Sequence, residues 1–319
     1  MNTANCVLLS GFMDFDELQS FFAVYCNLDP LSGKRARMDQ WAKTYDYMSQ
    51  RLPASDSYNP PVDLVLDLSD NSKIILDNLR DKIRHYFPYH ELGFDIKLVK
   101  ITELISLQYH VDLEHLAELE KKIRPEMTEA EIIELCVDTV GHPDKSLRKQ
   151  QQFTDMQGGF AVFTSDREDL RFRSVECRDV YVREEMGKPL TEAKTNALLL
   201  IFGGGDPFTA AYRIQSVVSL PGRPPISRQL IVLQDGLHRA YALHRAGYTH
   251  MPCVLSDITP STVSTYLSTW QSRLNYINLV RPPLLRDFFD PNLTMEVAVP
   301  PRRTMLRLNW SVETLPIFS

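Results

Sequence analysis

The chain has few of the residues that build easily recognised sites. Its five cysteines, Cys6, Cys26, Cys136, Cys177 and Cys253, are scattered over 319 residues, and no two form a CxxC pair. An odd, widely spaced set argues against a disulfide framework and against a four-cysteine zinc site. No apolar run reaches the roughly 18 residues of a membrane-spanning helix. The N-terminal MNTANCVLLSGFMDFDELQ lacks the basic region and full apolar core of a signal peptide. A soluble, reducing, cytoplasmic setting with no membrane partner is the expectation. Basic residues are also in deficit: 35 Lys and Arg against 41 Asp and Glu give a net charge of -6. That disfavours a general nucleic-acid coat but leaves room for a local basic groove. Phosphate-loop signatures are missing too. FGGGDPF, residues 202–208, lacks the Gly-Lys-Ser/Thr ending of a Walker A loop and is not a GxGxxG fingerprint. It reads as a helix stop and turn, or as a ligand loop placing Asp206 near a cation.

What is present is a chain with 44% apolar residues, enough to build the core of one large domain or two modest ones. Residues 11–52 have helical spacing in Phe12, Phe15, Leu18, Phe21, Phe22 and Tyr25, and again in Trp41, Tyr45 and Met48. A further helix is expected over Ser72–Tyr86, with Ile75, Leu76, Leu79, Ile83 and Phe87 inward and Pro88 limiting it. Phe94–Ile101 alternates like a strand. Asp112 starts a helix, and Thr128 with Glu131 makes a capping-box pattern for the next one. Residues 141–160 read as a long excursion. Gly159–Ser165 is expected as a short strand, Thr191–Phe202 as a helix, Tyr212–Leu220 as a strand, and Pro260–Tyr276 as a helix. The proline-bearing tail follows, with a terminal hairpin, and RPPLLRDFFDP (281–291) reads as an apolar latch onto the core, with partner binding as the alternative.

The most informative stretch is RQLIVLQDGLHRAYALHRAGYTHMPCVL, Arg228–Leu255. Its grammar is strand, acidic-glycine turn, helix, glycine stop, strand. A helix starting at this turn offers unpaired backbone N–H groups near Gly236–His238, which suit a phosphate. Gly236 permits close backbone approach. His238 and Arg239 add donors, and Arg239 can make two charge-assisted bonds to phosphate oxygens. Asp235 can cap the helix, hold a magnesium ion or orient a hydroxyl. The plainer readings are a capping Asp235, a hydrogen-bonded structural His238 and an Arg239 held in a core-edge or salt-bridge contact. Cys253 reads as a buried structural thiol, and His244 and His250 as surface residues.

The DGLHR segment, with the following YALHRAG and MPCVL, resembles the ParB/sulfiredoxin fold superfamily. LVKITELISLQYHVDLEHLAEL resembles that superfamily's opening strand, loop and helix. Together the matching regions cover about 60 residues, separated by a long insertion. The resemblance implies an α+β fold: a mixed-sheet, nucleotide-binding core over residues 93–258, a mainly helical region over 1–92, and a C-terminal helix and tail over 259–319. Partition proteins of this group carry a GERR-like motif that binds CTP. Here Gly236 and Arg239 are kept and the central pair differs. Sulfiredoxins carry GCHR, where the cysteine is the nucleophile; Leu237 stands at that position, and leucine has no nucleophile. Free-serine kinases place an acidic-Gly-x-x-Arg motif at the turn, matched by Asp235, Gly236 and Arg239, and use a loop glutamate as base, for which Glu103 is the candidate.

The function this implies is phosphoryl transfer or hydrolysis with ATP or ADP (or CTP) and Mg2+. The acceptor would be a small hydroxylated metabolite or a protein side chain. Glu103, Asp235 and His238 are the expected catalytic groups, and Asp235 is the metal carboxylate. Gly236, Leu237, His238, Arg239 and Gln108 are expected at the nucleotide. The alternative is a ParB-like protein that senses nucleotide, or associates with DNA, without chemistry.

Overall fold

The computed structural model describes residues 5–26, 34–51, 58–84, 92–137, 148–153, 158–165, 171–182, 193–203, 208–219, 222, 224–267, 274–275, 277, 279, 281–300 and 304–311. The chain divides into two compact units: residues 1–140 with 206–300, and residues 141–205 with 301–319. Among the described residues, no helix is long and apolar enough to cross a membrane.

The larger unit is a mixed α+β structure. In chain order its elements are β1 (Cys6–Leu8), α1 (Phe15–Tyr25), α2 (Lys34–Arg51), β2 (Val65–Leu66), α3 (Lys73–Arg84), β3 (Asp95–Lys100), β4 (Ile105–Ser106) and β5 (His110–Asp112). Then come α4 (Leu113–Glu120) and α5 (Glu129–Cys136). Strands β6 to β9 belong to the smaller unit. The larger one resumes with β10 (Ala210–Val218), β11 (Ile226–Asp235), α6 (Leu237–Arg245), β12 (His250–Ile258), α7 (Val263–Tyr266) and β13 (Met295–Val297).

Local chemistry fixes the helix starts. Asp14 and Glu17 close a reciprocal capping box on α1: Glu17 N–H donates to Asp14 Oδ1 at 2.7 Å, and Asp14 N–H to Glu17 Oε2 at 3.1 Å. Thr128 and Glu131 do the same for α5. Asp112 Oδ1 accepts from the N–H groups of Glu114 and His115 at the head of α4. Helix α3 buries Leu76, Leu79 and Ile83, as its spacing predicts, but Ile75 is 37% exposed; Phe87 lies outside the described residues.

Six strands form the main sheet in the order β2-β3-β12-β10-β11-β4. Strand β10 pairs antiparallel with β11 and parallel with β12, while β11 runs parallel to β4. The two-residue period of β11 divides the apolar packing in two. Ile231 and Leu233 join the cluster that includes Leu79, Leu116, Ile133 and Leu243 from the helices; Leu230 and Val232 join Tyr58, Tyr212 and Leu284. A second sheet, β13-β1-β5, packs with α1 around Leu8, Leu18, Phe22 and Tyr109.

The RPPLLRDFFDP segment behaves as the latch read from its sequence. Leu284, Leu285 and Phe288 are buried, and Phe289 stacks on Tyr241 of α6 with ring centroids 4.4 Å apart. Its backbone also covers the β4 edge of the sheet: Leu285 N–H donates to Leu104 O and Ser106 N–H to Pro283 O.

The smaller unit holds β6 (Arg148–Phe153), β7 (Gly158–Ser165) and β14 (Thr304–Ser311) in one antiparallel sheet, and β8 (Arg171–Val182) with β9 (Ala193–Gly203) as a second pair. Two expectations are corrected here. The run Thr191–Phe202, read as a helix, contributes the strand Ala193–Gly203; a continuous apolar run satisfies a strand as well as a helix, and cross-strand pairing with β8 decides it. Among the described residues of the tail, the two strands do not pair with each other as a terminal hairpin would. β13 pairs with β1 and β14 with β7, so each strand finds a distant partner. Of the expected helix Pro260–Tyr276, a single helical turn, Val263–Tyr266, is described as α-helix, and residues 268–273 lie outside the described residues.

Candidate functional site

The strand-turn-helix-strand grammar of residues 228–255 is realised as β11, the Asp235–Gly236 turn, α6 and β12. Gly236 is the N-cap residue of α6 with φ 100° and ψ 18°, a left-handed conformation that favours glycine. It is also tightly packed. A β-carbon built on Gly236 would lie 2.7 Å from Thr209 Cγ2 and 2.8 Å from its Oγ1. As a glycine, Gly236 makes no side-chain cap bond to α6. The α6 start thus differs from α1, α4 and α5 in having an N-cap residue that makes no side-chain cap bond.

The expected ligand groups sort into two places. Asp235 ends β11, and its Oδ1 accepts the N–H of Gly236 at 2.5 Å. Gln108 follows β4. The parallel pairs Val232↔Ile105 and Leu233↔Ser106 carry Asp235 and Gln108 off the same, carboxyl, ends of neighbouring strands. Glu103 lies on the other side of Ile105, so the register sets it toward Leu230 rather than toward Asp235. Its carboxylate is 7% exposed and pairs with Arg286 Nη1 at 2.6 Å. The Tyr58 phenol lies near it, and burial followed by the Glu103 charge pushes that phenol above the ordinary tyrosine range.

Three residues of the DGLHR motif have contacts of their own. The Leu237 side chain is buried in the main core. His238 Nε2 accepts the backbone N–H of Asp112 at 2.9 Å, and its ring meets that of His115 edge-on at 4.8 Å. Arg239 Nη1 donates to Cys136 O at 3.0 Å. A guanidinium at the last carbonyls of α5 is favoured by the helix dipole as well as by the bond. These contacts correspond to the plainer readings of His238 and Arg239 given above. A phosphate at this turn would share or replace the Arg239 bond.

Other candidates fall away from the turn. Arg245 pairs with Glu120 at 3.1 Å, and His244 packs edge-on against Phe289. His250 Nε2 lies 2.9 Å from Asp63 O. Cys253 and Cys136 are both fully buried. Burial pushes the Cys136 thiol up to about 11 and holds the Cys253 thiol well above its ordinary range. Asp206 lies outside the described residues. Sequence reasoning did not single out Thr209, which dictates glycine at 236, nor Arg286, which holds Glu103. Neither carries a local motif; both act through the fold.

Comparisons of the chain with family models, with curated proteins and with solved structures find no match to it. Among the described residues, no group of three or more His, Cys, Asp or Glu side chains is placed to hold a metal ion.

Proposed function

We propose that the chain is a nucleotide-binding protein of ParB/sulfiredoxin-like design that transfers or hydrolyses a phosphoryl group. The observation that carries this reading is the α6 start: a nine-residue helix whose N-cap is a left-handed glycine with no side chain of its own to cap it. It stands at the carboxyl end of β11, beside the carboxyl end of the parallel strand β4. Backbone N–H groups at such a start bind phosphate oxygens. Crevices at the carboxyl ends of parallel strands are where ligands collect in open α/β sheets.

The ligand on this reading is ATP or ADP, with CTP as the alternative, carried with Mg2+. A magnesium ion bound to a nucleotide keeps phosphate and water ligands and takes one or two protein carboxylates. Asp235 fits that share without a three-ligand protein cluster. Gln108 would contact the nucleotide from β4. The acceptor would be a hydroxyl of a small metabolite or of a protein side chain. Net charge of -6 makes DNA the less favoured partner.

A second reading, nucleotide sensing without chemistry, is favoured by Glu103. The proposed base is tied to Arg286, and its register points away from Asp235. One set of assays separates the two. ATP, ADP and CTP are titrated with and without Mg2+ onto the full chain and onto Asp235→Asn and Gln108→Ala, and release or transfer of labelled phosphate is followed in parallel. Turnover lost in Asp235→Asn supports the enzyme. Tight binding with no turnover supports the sensor. No binding of any of the three nucleotides overturns both.

A further inference from the structure

Asp112 and His238 are 126 residues apart in the chain, yet they join the starts of two helices. Asp112 is the N-cap residue of α4, and His238 is the second residue of α6. The donor is a backbone N–H, which carries its proton at every pH of interest, so His238 Nε2 must supply a lone pair. The single ring proton then sits on Nδ1. A second proton can enter only at Nε2. There it would turn an acceptor into a donor facing a donor.

We infer that His238 is a protonation-sensitive clasp between the start of α4 and the start of α6, closed with a neutral ring and opened by the imidazolium. The bond needs the neutral ring, and protonation of Nε2 removes it. Opening removes this bond between the two helix starts, while the Glu120–Arg245 pair and the shared core packing of α4 and α6 remain. This holds whether or not the Gly236 turn takes a nucleotide.

The charged groups around α6 are already committed in several directions. From β5 and α4 come His110, the Asp112 carboxylate (accepting from Glu114 and His115 N–H), Glu114 and His115 itself. Glu118 pairs with Lys121, and Glu120 pairs with Arg245 of α6. From the turn before β4 comes Glu103, held by Arg286; from the latch, Asp287 is held by Arg281. Asp235, three residues before His238, and Arg239, directly after it, bond to Gly236 N–H and Cys136 O. The edge-on ring of His115 sets a second imidazole against the first, which disfavours charging both.

The test is a pH titration of the full-length, isotope-labelled chain by nuclear magnetic resonance from pH 8 to pH 5. Ring nitrogens and the Asp112 amide are read together, in the native chain and in His238→Gln, whose amide oxygen can accept but cannot be protonated in this range. The expected result has three parts. Nε2 is unprotonated at pH 8. The Asp112 amide shifts with the same midpoint as the His238 ring, and its protection from exchange, corrected for the intrinsic pH effect, falls about tenfold. In His238→Gln the Asp112 amide does not follow pH. A proton on Nε2 at pH 8, a His238 ring that titrates while the Asp112 amide stays still, or a ring that stays neutral to pH 5 would each overturn the clasp. The coincidence of the two midpoints is read in the native chain, so a His238→Gln chain that failed to fold would leave the test decisive.

Discussion

The side chain of Thr209 occupies the space in which a β-carbon on Gly236 would have to stand, with Cγ2 2.7 Å from that point. Threonine 209 is fully buried, and it is fixed from both sides: its N–H donates to Cys136 O at 2.6 Å and its carbonyl accepts from Val254 N–H at 2.9 Å. It cannot retreat without breaking the links between α5, the start of β10 and β12.

Gly236→Ala is therefore expected to cost more than conformation alone. Gly247 provides the control, because its φ of 92° is similar while nothing lies within 4 Å of its β-position. Gly247→Ala should lose about 1–2 kcal/mol from left-handed strain. Gly236→Ala should lose at least about 1 kcal/mol more, from overpacking against Thr209. Urea unfolding midpoints of the two variants measure the difference; equal losses would mean that Thr209 yields.

The Arg286–Glu103 pair should matter more than the Arg213–Asp257 pair, although the second is a two-pronged contact. Glu103 is 7% exposed, so Arg286→Ala leaves a buried carboxylate without its guanidinium. A loss of about 2 kcal/mol is expected after allowing for the half-exposed arginine. Asp257 is 68% exposed, and Arg213→Ala should cost under about 1 kcal/mol. Thermal unfolding of both variants in low salt checks the order.

Acid should weaken a clasp on α5. Glu129 Oε1 accepts from Ser69 N–H at 2.9 Å, Ser69 Oγ at 2.7 Å and Ser72 Oγ at 2.5 Å. Burial opposes the charged carboxylate, but the bonds from Ser72 and Ser69 outweigh it and hold Glu129 below its ordinary range. With a lowered folded-state value, the stabilisation is present above the unfolded value, near pH 4.5, and is lost as pH falls through the folded one. The stability gap between the native chain and Glu129→Gln should be full at pH 7 and shrink between about pH 5 and pH 3. A gap independent of pH would show that the carboxylate charge is not what the serines hold.

Cys136 and Cys253 should be silent toward thiol reagents in the native chain. Both are fully buried, and burial raises both thiols, Cys136 to about 11. At pH 8 with iodoacetamide, peptide mass mapping should find both unmodified in the folded chain and modified after denaturation. Rapid native labelling of either would mean that the α5–β12 packing opens readily.

The unit from Arg228 to Leu255 was legible because its signals are local. A strand period, an Asp-Gly turn and a glycine stop each act over a few residues, and the capping pairs of α4 and α5 are equally short-range. The strand Ala193–Gly203 was misread because ALLLIF carries no alternation, and only its pairing with β8 identifies it. The roles inside DGLHR were hidden for a related reason. The partner of His238 is 126 residues away and that of Arg239 is 103 away. Their side chains suit phosphate in isolation, but the fold supplies a backbone amide to one and a helix-end carbonyl to the other. Glu103 had the right type and rough position for a base, and its neighbour Arg286 could be seen only once the latch was placed beside β4.

The pairing of β14 with β7 sets the order in which the smaller unit can be finished. Ser165 of β7 meets Thr304 of β14, so roughly 140 residues leave the ribosome between them. At typical synthesis rates of about 5–20 residues per second, one edge of β7 waits on the order of ten seconds for its partner. Closing so long a loop also slows refolding from the unfolded chain. Throughout that interval β7 has β6 on one side and an open edge on the other, and the nascent protein depends on whatever shields that edge until the last strand arrives.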